Sequence, residues 1–241
     1  MTGTTGTVWR VTTWNILGSR RPDVGEIAAV LRGEQPDVVS LQEVRRAQLR
    51  RLAKQLGWHY AWARKHYPYT PLLWWRAEGV GIVSPWAVSA RMRTTISPGV
   101  STWIYKHRVL LAATITRRDS TLRVFNTHLS SDNADERLAQ AKRAADRVRA
   151  DTSRCKVLTG DLNTTDDSEI EVLREFRAVG LTDAGGTVTN PSIAPSQRID
   201  YVLLPTAATT LSSLTPEGGE PWARLSDHLP VLVEFSVDPD R

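Results

Sequence analysis

The sequence predicts an α/β fold of four layers, an α/β/β/α sandwich of two packed mixed sheets with helices outside, and three observations lead there. The first part, to Leu56, alternates strand and helix patterns; the middle carries strand-like runs divided by turn residues alone; the second half returns to helices between strands. That is more strands than one doubly wound sheet needs. The 241 residues show no composition break, internal repeat or low-complexity linker, so one domain over residues 1–241 is expected, with residues 1–7 and 237–241 as flexible ends.

Val8 to Trp14 alternates and is rich in β-branched residues, as a strand does. Val24, Ile27, Ala28 and Leu31 then recur with helical spacing until Pro36 stops the helix. Asp37 to Gln42 is a short apolar run suited to a buried strand, and a charged helix follows from about Arg45 to Leu56. Trp58, Tyr60 and Trp62 alternate as a strand would. From Arg64 to Pro71 cations, aromatics and prolines mix, which suits a semi-rigid surface loop. Gly79 to Ser84, Arg108 to Thr116 and Thr121 to Leu129 read as antiparallel strands. Ala134 to Arg149 is a helix with Asp135 and Glu136 at its start and Arg147 and Arg149 at its end, the order the helix dipole prefers. Lys156 to Thr159 is a strand, Glu169 to Val179 a helix, and Ile199 to Leu204 and Val231 to Val237 are the closing strands.

Met1 to Thr7 shows neither a secretory signal nor a membrane anchor, so a soluble, cytoplasmic monomer without membrane insertion is expected. Cys155, the single cysteine, excludes an intrachain disulfide, and its apolar surroundings suit a small buried hydrophobe better than a catalytic thiol. The net charge of +5 favours polyanionic partners, although Arg45, Arg46, Arg50 and Arg51 read as a solvated helix face.

Metal-competent polar residues recur where apolar strand runs stop: Asn15, Glu43, His128, Asp161 with Asn163, Asp200, and Asp227 with His228. Singly, each has an ordinary use as a turn residue, helix cap or interior histidine. Together they are what attack on phosphorus requires. Glu43 and Asp227 suit Mg²⁺, which takes one or two carboxylates plus water. His228 steadied by Asp200 suits deprotonation of a water near neutral pH, and Asn15, Asn163 and a protonated His128 could stabilise charge on oxygen. No Walker loop, zinc cluster or nucleophilic serine elbow is present.

The ordered motifs TWNI (Thr13 to Ile16), LQEV (Leu41 to Val44), NTHL (Asn126 to Leu129), GDLN (Gly160 to Asn163), RIDYVL (Arg198 to Leu203) and SDHLP (Ser226 to Pro230) resemble the endonuclease/exonuclease/phosphatase superfamily over nearly the whole chain. The resemblance implies a four-layer sandwich with the site at one edge of the sheets. It implies Glu43 as the main Mg²⁺ ligand, Mn²⁺ being able to substitute, with Asn15 and Asp227 close to the metal or its waters. His228 would be the general base, or in a rival account a phosphate-orienting acid, with Asp200 orienting it. Asp161 and Asn163 would position water and phosphate, and His128 would contact phosphate or protonate the leaving group, with Glu78 a candidate partner for it. His128 in NTHL resembles the branches of pancreatic-type deoxyribonucleases, sphingomyelinases and the phosphodiesterases that clear tyrosyl adducts from DNA 5′ ends, rather than the abasic-site endonucleases.

The expected function is Mg²⁺-dependent hydrolysis of phosphodiester bonds, nucleic acid being the leading substrate because of the positive charge and the aromatic supply. A lipid or small phosphorylated metabolite is the runner-up within the same chemistry. A silent binding module is the alternative of another class, and the intact polar set argues against it. Tyr67 and Tyr69 are expected to meet the substrate, with Arg108, beside Lys106 and His107, as the next recognition candidate.

Overall fold

A computed structural model of the chain describes residues 6–65, 76–98, 107–118, 120–165 and 170–237. In chain order the elements are β1 (Thr7–Asn15), α1 (Val24–Glu34), β2 (Val38–Arg45), α2 (Arg46–Leu56), β3 (His59–Arg64), β4 (Glu78–Ser84), β5 (Ala87–Thr95), β6 (Val109–Arg117), β7 (Ser120–His128), α3 (Ala134–Ala150), β8 (Lys156–Asp161), α4 (Ile170–Arg177), β9 (Leu181–Asp183), β10 (Asp200–Pro205), β11 (Thr209–Leu214), α5 (Glu220–Ala223) and β12 (Val231–Val237). They form two six-stranded sheets, ordered β11-β12-β1-β2-β4-β3 and β5-β6-β7-β8-β10-β9. Each sheet is mixed, with β1 parallel to β2 in the first and β7 parallel to β8 in the second.

Strand alternation creates the layers. In β2, Val38 turns into the space between the sheets while Val39 and Leu41 face outward against Ile27, Leu31, Leu49 and Leu52 of α1 and α2. In β7, Val124 joins the inter-sheet core and Phe125 packs with Ala141, Ala145 and Phe176 of α3 and α4. Three separate apolar clusters therefore lie between four layers, as the sequence pattern predicts.

Towards the end of the sandwich that carries the site, the inter-sheet core becomes polar. Gln42 Nε2 donates to Thr13 Oγ1 at 3.0 Å and Asn126 Oδ1 at 2.8 Å, Asn126 Nδ2 donates to the carbonyls of Leu41 and Gly81, and Thr159 Oγ1 donates to Ser40 Oγ at 2.7 Å. These directional bonds fix one sheet against the other beneath the site, which apolar packing alone does less sharply.

Helix starts follow ordinary capping: Asp23 accepts from Gly25 N and Glu26 N, and Asn133 from Glu136 N. Thr7 and Val237, expected within flexible ends, pair with each other across β1 and β12; residues 1–5 and 238–241 lie outside the described residues. Cys155 is half-buried against the inter-sheet core, and burial pushes its thiol up to about 11, which suits an inert side chain. No helix among the described residues is long and apolar enough to cross a membrane.

Candidate active site

The parallel strand pairs bring distant motifs side by side. His128 and Asp161 are register partners across β7 and β8, and Asp200 pairs with Asp161 across β8 and β10, so three polar residues share one ladder row. Asn15, the last residue of β1, stands beside Gln42. Glu43 follows at a break in the β2–β4 register between Leu41 and Val44, with φ of 54°. A bulge of this kind turns one side chain out of the ladder, at the cost of a left-handed backbone at a residue with a side chain. Gly18 lies so close to the Glu43 carbonyl and Gln48 Oε1 that a Cβ there would collide with both, so only glycine fits against the bulge.

Asp161 is the hub. Its Oδ2 accepts from Asn15 Nδ2 at 3.0 Å and lies 3.5 Å from His128 Nε2 and 3.9 Å from His228 Nε2, while its Oδ1 accepts from Asn163 N at 3.0 Å. Asn163, itself left-handed at φ 49°, ties β8 back to β7 by donating from Nδ2 to the Leu129 carbonyl. His228 Nδ1 meets Asp200 Oδ2 at 2.8 Å, and Thr189 Oγ1 donates to the same oxygen at 2.6 Å. Ser226 Oγ caps the loop by donating to the Asn15 carbonyl at 2.5 Å, and Trp14 Nε1 donates to the His228 carbonyl. On the far side of His128, Nδ1 lies 3.6 Å from Glu43 Oε1 and 3.3 Å from Lys65 Nζ, and Lys65 Nζ is 3.4 Å from the same Glu43 oxygen. An unbroken chain of polar contacts thus runs from Glu43 through His128, Asp161 and His228 to Asp200.

Burial and mutual charge shift these groups. Burial raises the Asp161 carboxyl above the usual carboxylate range, helped by the charge of Asp200. Burial acts to lower His228, but Asp200 by charge and hydrogen bond, with Asp161 and Asp227, overcomes it and lifts the imidazole to about 10. Lys65 is lowered to about 8 by burial and by Arg108, and Glu78 is raised to about 7 by burial and by Glu43. Burial also lowers Arg108, against the pull of Asp161 and Glu43, and its Nη1 is buried without a hydrogen-bond partner among the described residues.

For His228 the folded pKa exceeds the ordinary 6.5, so its contribution to stability is full below 6.5 and is lost as pH rises towards 10. The expected result is that metal-free protein loses melting temperature between pH 6.5 and 10 more steeply than His228→Gln does, read by thermal denaturation at a series of pH values. Parallel curves would show that the imidazole carries no such charge.

Seven of the expected site residues, Asn15, Glu43, His128, Asp161, Asn163, Asp200 and His228, converge in this way. Asp227 stands beside them, half-buried, accepting from Ser226 Oγ at 3.4 Å and acting on His228 by charge. Arg108 reaches the site by charge on Asp161 and Glu43. At His128 Nδ1 the structure places Glu43 and Lys65, and Glu78 acts on Lys65 by charge. Tyr67, Tyr69 and Lys106 lie outside the described residues. Lys65 is the addition sequence reading missed, having been counted in a surface loop. The available signal was register: Lys65 continues the inward series Ala61, Ala63 of β3 and is 7% exposed. Thr189, which fixes Asp200, carried no signal in sequence.

Ligand atoms of Asp161, Asp200 and His228 all lie within 4.8 Å of one another, so this buried group could hold a metal ion. The donors throughout are oxygens and imidazole nitrogens, with no thiolate among them.

Comparison with known proteins bears on the family and the fold. The pattern of the Endonuclease/Exonuclease/phosphatase family matches residues 12–228. An endonuclease/exonuclease/phosphatase from Bacteroides vulgatus is similar in structure with TM-score 0.80 at 20% identity, covering 96% of this chain and 100% of that one. A mannosyl-6-phosphatase from Bacteroides thetaiotaomicron superposes with TM-score 0.73 at 17% identity over 94% and 99% of the two chains. The human Nocturnin catalytic domain with bound sulfate does so with TM-score 0.72 at 19% identity over 96% and 95%. No curated protein matches the chain.

Proposed function

The chain belongs to the endonuclease/exonuclease/phosphatase family of phosphoesterase hydrolases, and from that premise we propose that it is a Mg²⁺-dependent hydrolase of phosphodiester bonds with nucleic acid as its leading substrate. The observation that carries the reading is the continuous chain from Glu43 to Asp200, with Asp161 shared by Asn15 and both histidines.

The donor set fits a hard cation. As the family resemblance implies, Glu43, Asn15 and Asp227 would hold it; the buried group of Asp161, Asp200 and His228, whose Asp200 Oδ1 has no hydrogen-bond partner among the described residues, is the other set that could. When bound, a divalent cation neutralises charge on phosphate oxygen and on the attacking oxygen, and its charge opposes the carboxylates that hold His228 protonated.

In the neutral imidazole Asp200 keeps the single His228 proton at Nδ1 and so leaves Nε2, on the Asp161 side, to take the proton of the attacking water. Asp161 and Asn163 position that water and the phosphate. As the ammonium, Lys65 donates to His128 Nδ1, and in that tautomer the Nε2–H of His128 faces Asp161 and would meet a phosphate oxygen. The Nη1 of Arg108, without a partner among the described residues, supplies a further donor where negative charge accumulates.

The test is a substrate panel of plasmid DNA, single-stranded DNA, RNA, sphingomyelin, a sugar phosphate and bis-p-nitrophenyl phosphate, each with Mg²⁺ and with EDTA. Mg²⁺-dependent cleavage is expected for a polynucleotide and the small diester. Turnover of the sugar phosphate or the lipid alone would move the chain to another substrate class, and no turnover of any would favour a binding module.

A further inference from the structure

We infer that the groove between α2 and β3 is a second binding surface, built to hold a single-stranded polynucleotide leading to the site. It deepens the phosphoesterase reading by naming the substrate class, and rests on it only in taking the bound strand to be what is cleaved.

The groove measures about 590 Å³ and is lined by Arg50, Arg51, Lys54, Trp58 and Tyr60. Among the described residues none of the three cations, nor Arg46 before them, has an acidic partner, and all four side chains are exposed. α2 is stabilised less than its length allows. Arg46 with Arg50, and Arg50 with Lys54, are like charges four residues apart, and the first turn carries Arg46 and no acid where the helix dipole prefers an anion. A helix needing only a solvated face would gain from glutamate in place of Arg46 or Arg50. Uncompensated repulsion along one face fits a polyanion that supplies the missing charge.

The other wall says which polyanion. Tyr60 and Trp62 occupy successive outward positions of β3, about 7 Å apart, Trp58 immediately precedes the strand, and all three are partly buried against the α1/α2 side. Trp62 Nε1 donates to the Val44 carbonyl, next to Glu43, so the aromatic row runs from the groove to the active-site rim. Arg45, the residue before α2, acts by charge on Glu78 at the same rim. Aromatic faces beside cations accept stacked bases. A bilayer would instead need apolar side chains that protrude, and these line a concavity.

The experiment measures binding of a fluorescein-labelled oligothymidylate by anisotropy, in EDTA so that nothing is cleaved, across a salt series. Against the full wild-type chain, Arg50→Glu/Arg51→Glu/Lys54→Glu is expected to bind about tenfold more weakly or worse, with the slope of log K against log salt reduced by about 2, because three cations no longer meet phosphate. Tyr60→Leu is expected to weaken binding about fivefold with the slope unchanged. Hydrolysis of bis-p-nitrophenyl phosphate with Mg²⁺ should be unaltered in both, which shows that they fold. If a charge-reversed protein lacks that turnover, Arg51→Gln/Lys54→Gln takes its place, with a slope change of about 1. Equal affinity and slope in wild type and variants, or no oligonucleotide binding by wild type, would overturn the proposal. So would binding to phosphatidylserine vesicles that is lost in the variants while oligonucleotide binding is kept. Oligonucleotide binding that disappears in the variants, with no turnover of any ester by wild type, would instead leave the groove standing and sink the phosphoesterase reading.

Discussion

His228→Ala is expected to lower turnover of any competent phosphate ester by about two to four orders of magnitude, the range for loss of a positioned acid or base. Stability is a separate effect. Asp200 is 1% exposed and takes its charged hydrogen bond from His228, so removing the imidazole leaves a buried carboxylate with Thr189 as its remaining partner at that oxygen. The variant should therefore melt lower than wild type at neutral pH. Asp200→Asn in the same background should restore melting temperature at neutral pH and leave turnover as low as before. Asp200→Asn alone should cost turnover about tenfold, because it removes an orienting partner and keeps the base. Wild-type turnover in His228→Ala would place the base elsewhere, and Asp161 would then be the residue to test.

Much of this site could be read from the sequence because its residues fall where strands end, and strands buried on both faces announce their ends. β2, β7 and β8 are runs of buried Val, Leu and Phe, so Glu43, His128 and Asp161 stand out as polar residues at the point where burial stops being apolar. The strands that escaped notice, β5, β9 and β11, are all at sheet edges. β11 is Thr-Thr-Leu-Ser-Ser-Leu with every residue exposed or half-exposed, and β5 is mostly exposed, so neither needs a buried face and neither shows alternation. β9 has only three residues, too few for any period. Lys65 was hidden for the opposite reason. A buried lysine contradicts the rule that cations are solvated, and only its contacts with Glu43 and His128 account for it. The solvated reading of Arg50 and Arg51 was correct for exposure, but the aromatic wall opposite them comes from the next element and appears only once β3 is folded against α2.

The second large effect concerns Glu43. Its carboxylate lies against Lys65 and the His128 ring, and it sits on a bulge with a left-handed backbone. Strain held at such a position is explained if the side chain must point at a cation. Glu43→Ala should therefore remove the dependence on Mg²⁺ together with the activity. It should also abolish the rise in melting temperature that Mg²⁺ gives wild type by binding the folded state, a readout that does not require turnover. Gly18→Ala should reproduce part of both losses, since its Cβ would push on the Glu43 carbonyl and disturb the bulge.

The most direct measurement is hydrolysis of bis-p-nitrophenyl phosphate by wild type and Glu43→Ala after stripping of bound metal, followed by titration with Mg²⁺. Stripped wild type is expected to be slower by about three orders of magnitude or more, with Mg²⁺ restoring it, while Glu43→Ala stays inactive at concentrations saturating for wild type. Full turnover by stripped wild type in excess EDTA would contradict a metal-dependent mechanism centred on Glu43.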